Sequence, residues 1–223
     1  MGDILHLYFN LGYWWDSAPA LLRGAGRTLE LAAATLIFGL SCGLAMAVTR
    51  ALRIAPLSVV IVMMVDAARA VPGIVVIFLL YFALPYADIR LPAFVCAVLA
   101  LASNLAAVSE EAFWAGIQAV PRGQSEAARA LGLSRLVILR RIIMPQGIRL
   151  GIPLLTGKAI SITKDTALAS VVAVPELLNQ MSTEQGVYAN PSPLMLGAIM
   201  FLLIFLPVVR GSRWLERRFQ WAR

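Results

Sequence analysis

Long apolar runs alternate along this chain with short polar stretches, and the polar stretches carry most of its arginines. A helix needs about 20 mostly apolar residues to cross the hydrocarbon core of a bilayer. Five stretches meet or approach that length: Leu29 to Val48, Val59 to Phe82, Leu91 to Val108, Leu150 to Val172 and Leu194 to Val209. The second holds Asp66 and Arg69, followed by Val71-Pro72-Gly73, where proline removes a backbone donor and breaks the helix. The fourth holds Lys158, Lys164 and Asp165. The fifth begins after the turn-forming run Asn190-Pro191-Ser192-Pro193. The pattern predicts an all-α integral membrane protein, one transmembrane domain over 1–223, with five transmembrane helices.

Five spans also sort the arginines. Arg50 and Arg53, then Arg122, Arg129, Arg135, Arg140, Arg141 and Arg149, then Arg210, Arg213, Arg217, Arg218 and Arg223 all fall on one side. The other side receives Arg23, Arg27 and Arg90, with Asp3, Asp16, Asp88, Glu176 and Glu184. Positively charged loops stay in the cytoplasm, so the N-terminus is expected outside and the C-terminus inside. Four or six spans would scatter the arginines over both faces.

The stretch Pro121 to Pro145, between spans three and four, differs from its surroundings. Ser125-Glu126-Ala127-Ala128-Arg129-Ala130-Leu131 has good helix formers behind a cap-like serine. Gly132 suits a helix end, and Ser134 suits the start of another. Two short helices with a bend at Gly132 are expected, either lying on the bilayer as an amphipathic hairpin or docking a cytoplasmic partner. On the opposite side, Pro175 to Pro193 is long for an idle connector and suits a gate or an external contact.

Composition narrows the class. Sixty per cent of the 223 residues are apolar, 14% are charged, and the net charge is +7. Soluble domains carry about 25% charged residues, so a water-soluble enzyme is a poor fit. In a soluble protein a +7 balance would suggest nucleic acid. Here the arginines lie between apolar runs, and membrane topology accounts for them without nucleic acid. Cys42 and Cys96 both sit inside apolar runs and read as small buried residues. His6 is the single histidine, and no metal-ligand spacing is present. Met1 to Tyr13 lacks the basic and apolar regions of a signal peptide, so the first span is expected in the mature chain.

Chemistry-bearing motifs are few. Gly151 to Ala159 superficially looks like a phosphate-binding loop, but it has one residue too many between its glycines. Ala159 also stands where a magnesium-binding Ser or Thr belongs. No catalytic residue or metal site is assigned. Gly39-Leu40-Ser41-Cys42-Gly43 fits a small-residue helix contact. Intramembrane charges are costly unless paired or facing a watery cavity. Asp66 and Arg69, three apart on one helix face, are expected to pair. Glu110 and Glu111 end the third span. Asp66, Arg69, Glu111, Lys164 and Asp165 are therefore candidates for a polar substrate path, against static ion pairs as the plainer reading.

Several runs together resemble a known family. Glu126-Ala127-Ala128, Gly132 and Ile142-Ile143-Met144-Pro145-Gln146 look like the EAA loop of ABC importer permeases. Gly116 to Gln124 before it, with Lys164-Asp165-Thr166-Ala167-Leu168 and Val174-Pro175-Glu176-Leu177 after it, are similar to polar amino acid permeases of the histidine/glutamine type. Arg69-Ala70-Val71-Pro72 stands where that family often has Arg-Gly-Thr-Pro. Val108 and Trp114 stand where a Tyr and an Arg often flank the equivalent of Glu111.

The resemblance implies a bacterial inner-membrane subunit that forms half of a translocation path. It implies two ATPase subunits below, a second permease subunit alongside and a periplasmic binding protein that delivers an amino acid. Glu126, Ala127, Ala128 and Gly132 would be the docking residues, and ATP and Mg would sit on the partners, with no cofactor in this chain. The missing Glu–Arg pair favours a heterodimer over a homodimer. A stand-alone ion-coupled transporter, using the Asp66/Arg69 and Lys164/Asp165 clusters, is the alternative.

Overall fold

The computed structural model describes residues 7–220, so Asp3, His6 and Arg223 lie outside the described residues. Those residues are helical, with no strand among them. In chain order the helices are α1 (Leu11–Ala51), α2 (Ala55–Ala70), α3 (Gly73–Phe78), α4 (Ala93–Gln118), α5 (Arg122–Ala130), α6 (Arg135–Ile138), α7 (Met144–Asp165), α8 (Leu177–Tyr188) and α9 (Ser192–Gln220).

The 41 residues of α1 extend about 60 Å at 1.5 Å per residue, twice the thickness of a hydrocarbon core. The predicted first span, Leu29 to Val48, is only its second half. The first half forms because Asn10 caps it: the Asn10 side chain accepts from the amides of Gly12 at 3.0 Å and Tyr13 at 3.4 Å. That half then buries Leu21 and Ala25 against Leu177 and Met181 of α8. The segment Pro175 to Pro193 is thus a packed helix rather than an open connector.

The predicted second span is bent by 98° between α2 and the helical run Gly73–Ala87. Val71, preceding a proline, is extended at φ −97°, ψ 126°, as steric clash with the proline ring requires. After α3 the chain loosens into a π turn over Leu79–Ala83 and a 3₁₀ turn over Leu84–Ala87.

At the centre stands α4. Leu101 and Leu105 on it are essentially inaccessible. Small residues let two neighbours approach it closely. A Cβ at Gly43 of α1 would lie 2.5 Å from the Ser109 Cβ and 2.6 Å from the Ala106 carbonyl oxygen. A Cβ at Gly39 would lie 2.8 Å from Leu105, so the small-residue pattern predicted from sequence is a true packing face. On α4's other side, a Cβ at Gly116 would lie 2.1 Å from the Gly147 carbonyl oxygen of α7.

Among the described residues, three helices are long and apolar enough to cross a membrane: α1, α4 and α9. The bent pair of α2 with Gly73–Ala87 adds a fourth if it counts as one span. The expected fourth span, Leu150 to Val172, maps onto α7 and a following 3₁₀ turn, Thr166–Val172. Arg149, Lys158, Lys164 and Asp165 keep α7 outside the strictly apolar class. Large apolar side chains such as Ile37, Phe38, Val59, Met63, Met64 and Leu203 are exposed, as lipid-facing positions require.

Candidate functional site

The mid-chain loop is built by α5, α6 and the start of α7. α5 begins at Arg122 behind Pro121, so Ser125 sits inside the helix and returns its hydroxyl to the Arg122 carbonyl at 2.8 Å. It is not the cap its position suggested. The helix stops in a left-handed turn at Gly132, φ 77°. The Leu133 amide reaches back to the Ala128 carbonyl at 3.2 Å, and the Gly132 amide to that of Arg129 at 2.9 Å. This 6→1 and 5→2 pair is the glycine-terminated helix end that satisfies otherwise orphaned carbonyls. Ala128 is buried beneath the turn, while Glu126, Ala127 and Leu131 are exposed. The bend expected at Gly132 is therefore present, with a small exposed face carrying one carboxylate.

The second arm is not short. Ser134 leads into α6 without a side-chain cap. A π turn over Leu139–Ile143 then joins α6 directly to α7. Gln124 on α5 donates to Gln146 on α7 at 3.0 Å, and Gln146 also donates to the Ile142 carbonyl at 2.8 Å. The Gln124–Gln146 bond staples the loop's two arms together. The base of α7 in turn lies against Gly116 of α4. Between the end of α1 and the α6–α7 junction is an apolar cleft of about 500 Å³, lined by Val48, Leu52, Leu139, Met144 and Ile148 among others.

The polar groups of the helices resolve differently from the spacing argument. Arg69 pairs with Glu111 on α4, not with Asp66. Asp66 is exposed and forms no ion pair among the described residues. A same-helix neighbour at three residues is an available partner, but the bundle offers Arg69 a carboxylate across the α2–α4 seam. Both groups of that pair stay accessible, at 45% and 42% of their side-chain surface. Lys164 is exposed and Asp165 half-buried, and neither forms an ion pair among the described residues. Of the five candidate path residues, the structure brings together only Arg69 and Glu111.

Sequence reasoning missed a second pair. Glu110 is fully buried and accepts from the Arg50 guanidinium at 3.0 and 3.3 Å. Arg50 also lies over the Trp114 ring, 4.4 Å from its centroid. Trp114, the residue standing where an arginine was expected one turn past Glu111, thus receives an arginine from α1 instead. The signal was indirect: Arg50 is the last-turn residue of a long helix, and Glu110 an otherwise unexplained intramembrane acid. Gly147 and Gly151, four apart, were also overlooked, although their spacing alone announces a close contact.

At the opposite end, Glu176 caps α8. Its carboxylate accepts from the amides of Leu178 and Asn179, both at 2.8 Å, and from the Thr28 hydroxyl at 3.4 Å. Burial pushes this carboxyl above the ordinary range, and those hydrogen bonds pull it partly back. Ser192 ties the start of α9 to α1 by accepting from the Asn10 amide at 3.2 Å and, through its carbonyl, from Trp14 Nε1 at 3.0 Å.

Residues 36–221 match the family described as binding-protein-dependent transport system inner membrane component. The chain is 33% identical over 213 residues to the probable glutamine ABC transporter permease protein GlnP of Bacillus subtilis (strain 168), covering 94% of each chain. It is 36% identical over 162 residues to the L-cystine transport system permease protein TcyB of the same organism, covering 73% of this chain and 69% of that one. Among solved structures, a crystal structure of an amino acid ABC transporter with histidines superimposes with a TM-score of 0.81 at 32% identity, covering 90% of this chain and 94% of that chain. A helical membrane bundle with this architecture, matched over nearly its full length, belongs to the family of inner membrane components of binding-protein-dependent transport systems.

Proposed function

We propose that this chain is the permease subunit of an ATP-driven importer for polar amino acids, and that its mid-chain loop is where the ATPase docks. The observation that carries the reading is the loop: a short helix closed by Gly132, exposing Glu126 and Ala127, and stapled through Gln124 and Gln146 to a long helix that packs on α4. Small alanines allow close approach, and Glu126 offers a carboxylate to a basic partner surface. Relatives named for glutamine and L-cystine support an amino acid cargo. Two ATPase subunits supply the ATP and Mg, and this chain takes no cofactor of its own. A periplasmic binding protein delivers substrate to the face formed by α8 and the start of α1. In this arrangement the chain crosses the membrane five times, with α7 as the fourth span, the N-terminus outside and the C-terminus in the cytoplasm.

Arg69 and Glu111, side by side and accessible, would present opposite charges to the two charged ends of an amino acid. Asp66, Lys164 and Asp165 complete the polar path in the assembled transporter. A second permease subunit closes that path. The argument for a non-identical partner was the absence of an arginine one turn from Glu111. Arg69 fills that need within the chain, so a second copy meets the same electrostatic requirement, and crosslinking a tagged copy to an untagged one decides between them.

Co-expression with its ATPase tests the docking assignment. Glu126→Lys is expected to leave the chain inserted and folded while releasing the ATPase from the purified complex. Unaltered transport and co-purification in that variant would remove the assignment. Transport into liposomes driven by an ion gradient without ATP would instead support the stand-alone transporter.

A further inference from the structure

The end of α9 carries a basic cluster that the importer reading uses only to orient the chain. Arg210, Arg213, Arg217 and Arg218 are all exposed, and Trp214 among them is 59% exposed. None of the four arginines forms an ion pair among the described residues. The one acid in this stretch, Glu216, is engaged elsewhere: it accepts from the Thr156 hydroxyl of α7. That contact fixes the rotation of the helix end. At about 100° per residue, the four arginines and Trp214 fall between about 60° and 200° from Glu216, to one side of that contact. The Arg218 guanidinium lies over the Trp214 ring at 5.3 Å.

Depth matters as much as rotation. The apolar run of α9 ends at Val209 and the first arginine follows at once. The helix has 29 residues, about 43 Å, against about 30 Å of hydrocarbon, so this basic turn emerges at the headgroup layer. Tryptophan prefers that layer, and arginine clusters directly beyond a span attract anionic headgroups. Arginine also matches phosphate geometry through its planar fork.

We propose that the end of α9 is a binding face for anionic phospholipid, with Arg210, Arg213, Arg217 and Arg218 taking headgroup phosphates and Trp214 seated in the interface. The face holds the helix end at a fixed depth, and through Glu216–Thr156 it holds α7 as well. The inference rests on membrane insertion alone and is independent of which partners the chain binds.

The test uses the full-length chain in detergent, titrated with phosphatidylglycerol or phosphatidylcholine, with retained lipid counted by native mass spectrometry. Each arginine near an anionic surface is worth a roughly five-fold gain in affinity, so R213Q/R217Q is expected to weaken phosphatidylglycerol retention roughly 30-fold. Phosphatidylcholine retention should not change, and raising salt should weaken only the anionic lipid. R213K/R217K keeps the charges and should retain phosphatidylglycerol, which separates lost charge from a misfolded helix end. Equal phosphatidylglycerol retention in wild type and R213Q/R217Q overturns the proposal, as does an equal loss of both lipids. Release of an ATPase subunit by R213Q/R217Q with phosphatidylglycerol retention intact also overturns it, and makes the face a protein contact.

Discussion

Glu110 and Glu111 are neighbours on α4, each paired with one arginine, yet they sit in opposite surroundings. Glu110 faces the α1–α4 seam, where its side chain has no accessible surface and Arg50 is sealed over it at 23%. Glu111 faces the α2–α4 seam, where it and Arg69 each keep more than two-fifths of their surface open. Successive residues on a helix point about 100° apart, so two adjacent acids can serve two different walls of one helix. The α1–α4 wall is closed by Gly39 and Gly43, which bring the backbones together; the α2–α4 wall has no such contact, and α2 buries only Ile61 and Val65. The same ion pair is thus a rivet in one wall and an accessible charge pair in the other. Spacing along the chain distinguishes neither role; the tightness of the seam does.

The largest expected effect breaks the rivet. Glu110→Ala leaves the Arg50 guanidinium enclosed without a counter-charge, and removal of one partner from a buried pair costs about 3–5 kcal/mol. The variant should melt well below wild type in detergent, or fail to insert stably. Stability within about 1 kcal/mol of wild type, the range of exposed pairs, would mean that water reaches Arg50 and that the two walls do not differ.

The next experiment sharpens the other wall. Exposed pairs contribute about 0–1 kcal/mol, so Glu111→Gln and Arg69→Gln should barely change stability. Their effect is expected on transport, which should fall at least several-fold while the melting temperature holds. A double-mutant cycle on transport should show coupling between Arg69 and Glu111, and additivity between Arg69 and Asp66. Coupling between Arg69 and Asp66 instead would restore the same-helix pair that spacing suggests and count against the seam geometry.

These two walls also mark what the sequence could and could not reveal. The second half of α1, with α4 and α9, was legible because an unbroken apolar run of about 20 residues has few other uses. The break at Pro72 and the bend at Gly132 were legible because both residues act locally through the backbone. Loop residues Glu126 to Gly132 were legible as a unit for the same reason. Arg50–Glu110 was not: the partners lie 60 residues apart, and nothing local at Arg50 distinguishes it from any other basic residue at a helix end. Asp66 was misassigned because spacing shows that two groups can meet, not whether a third competes. The first half of α1 was missed because its packing partner, α8, lies over 150 residues away and has little apolar signature of its own.

A third glutamate extends the comparison by removing the arginine. Glu176 is buried like Glu110, but it faces two amides and a hydroxyl rather than a guanidinium. Burial is the larger influence and raises its pKa above the 4.5 of an ordinary glutamate. The folded chain therefore holds this proton more firmly than the unfolded chain does. Stability from this group is fully present below the unfolded pKa and is lost as pH rises through the higher folded one. Glu176→Gln cannot titrate and keeps one oxygen acceptor for the α8 cap, so it should lack this dependence. The melting temperature of wild type minus that of Glu176→Gln should increase as pH falls toward 4.5, by less than the loss expected of Glu110→Ala. The comparison is most direct at low salt and with the full chain in detergent. A difference that stays constant with pH would mean that the amides and the Thr28 hydroxyl fully replace the water that burial removed, and that a capped helix end can hold a carboxylate as well as an arginine does.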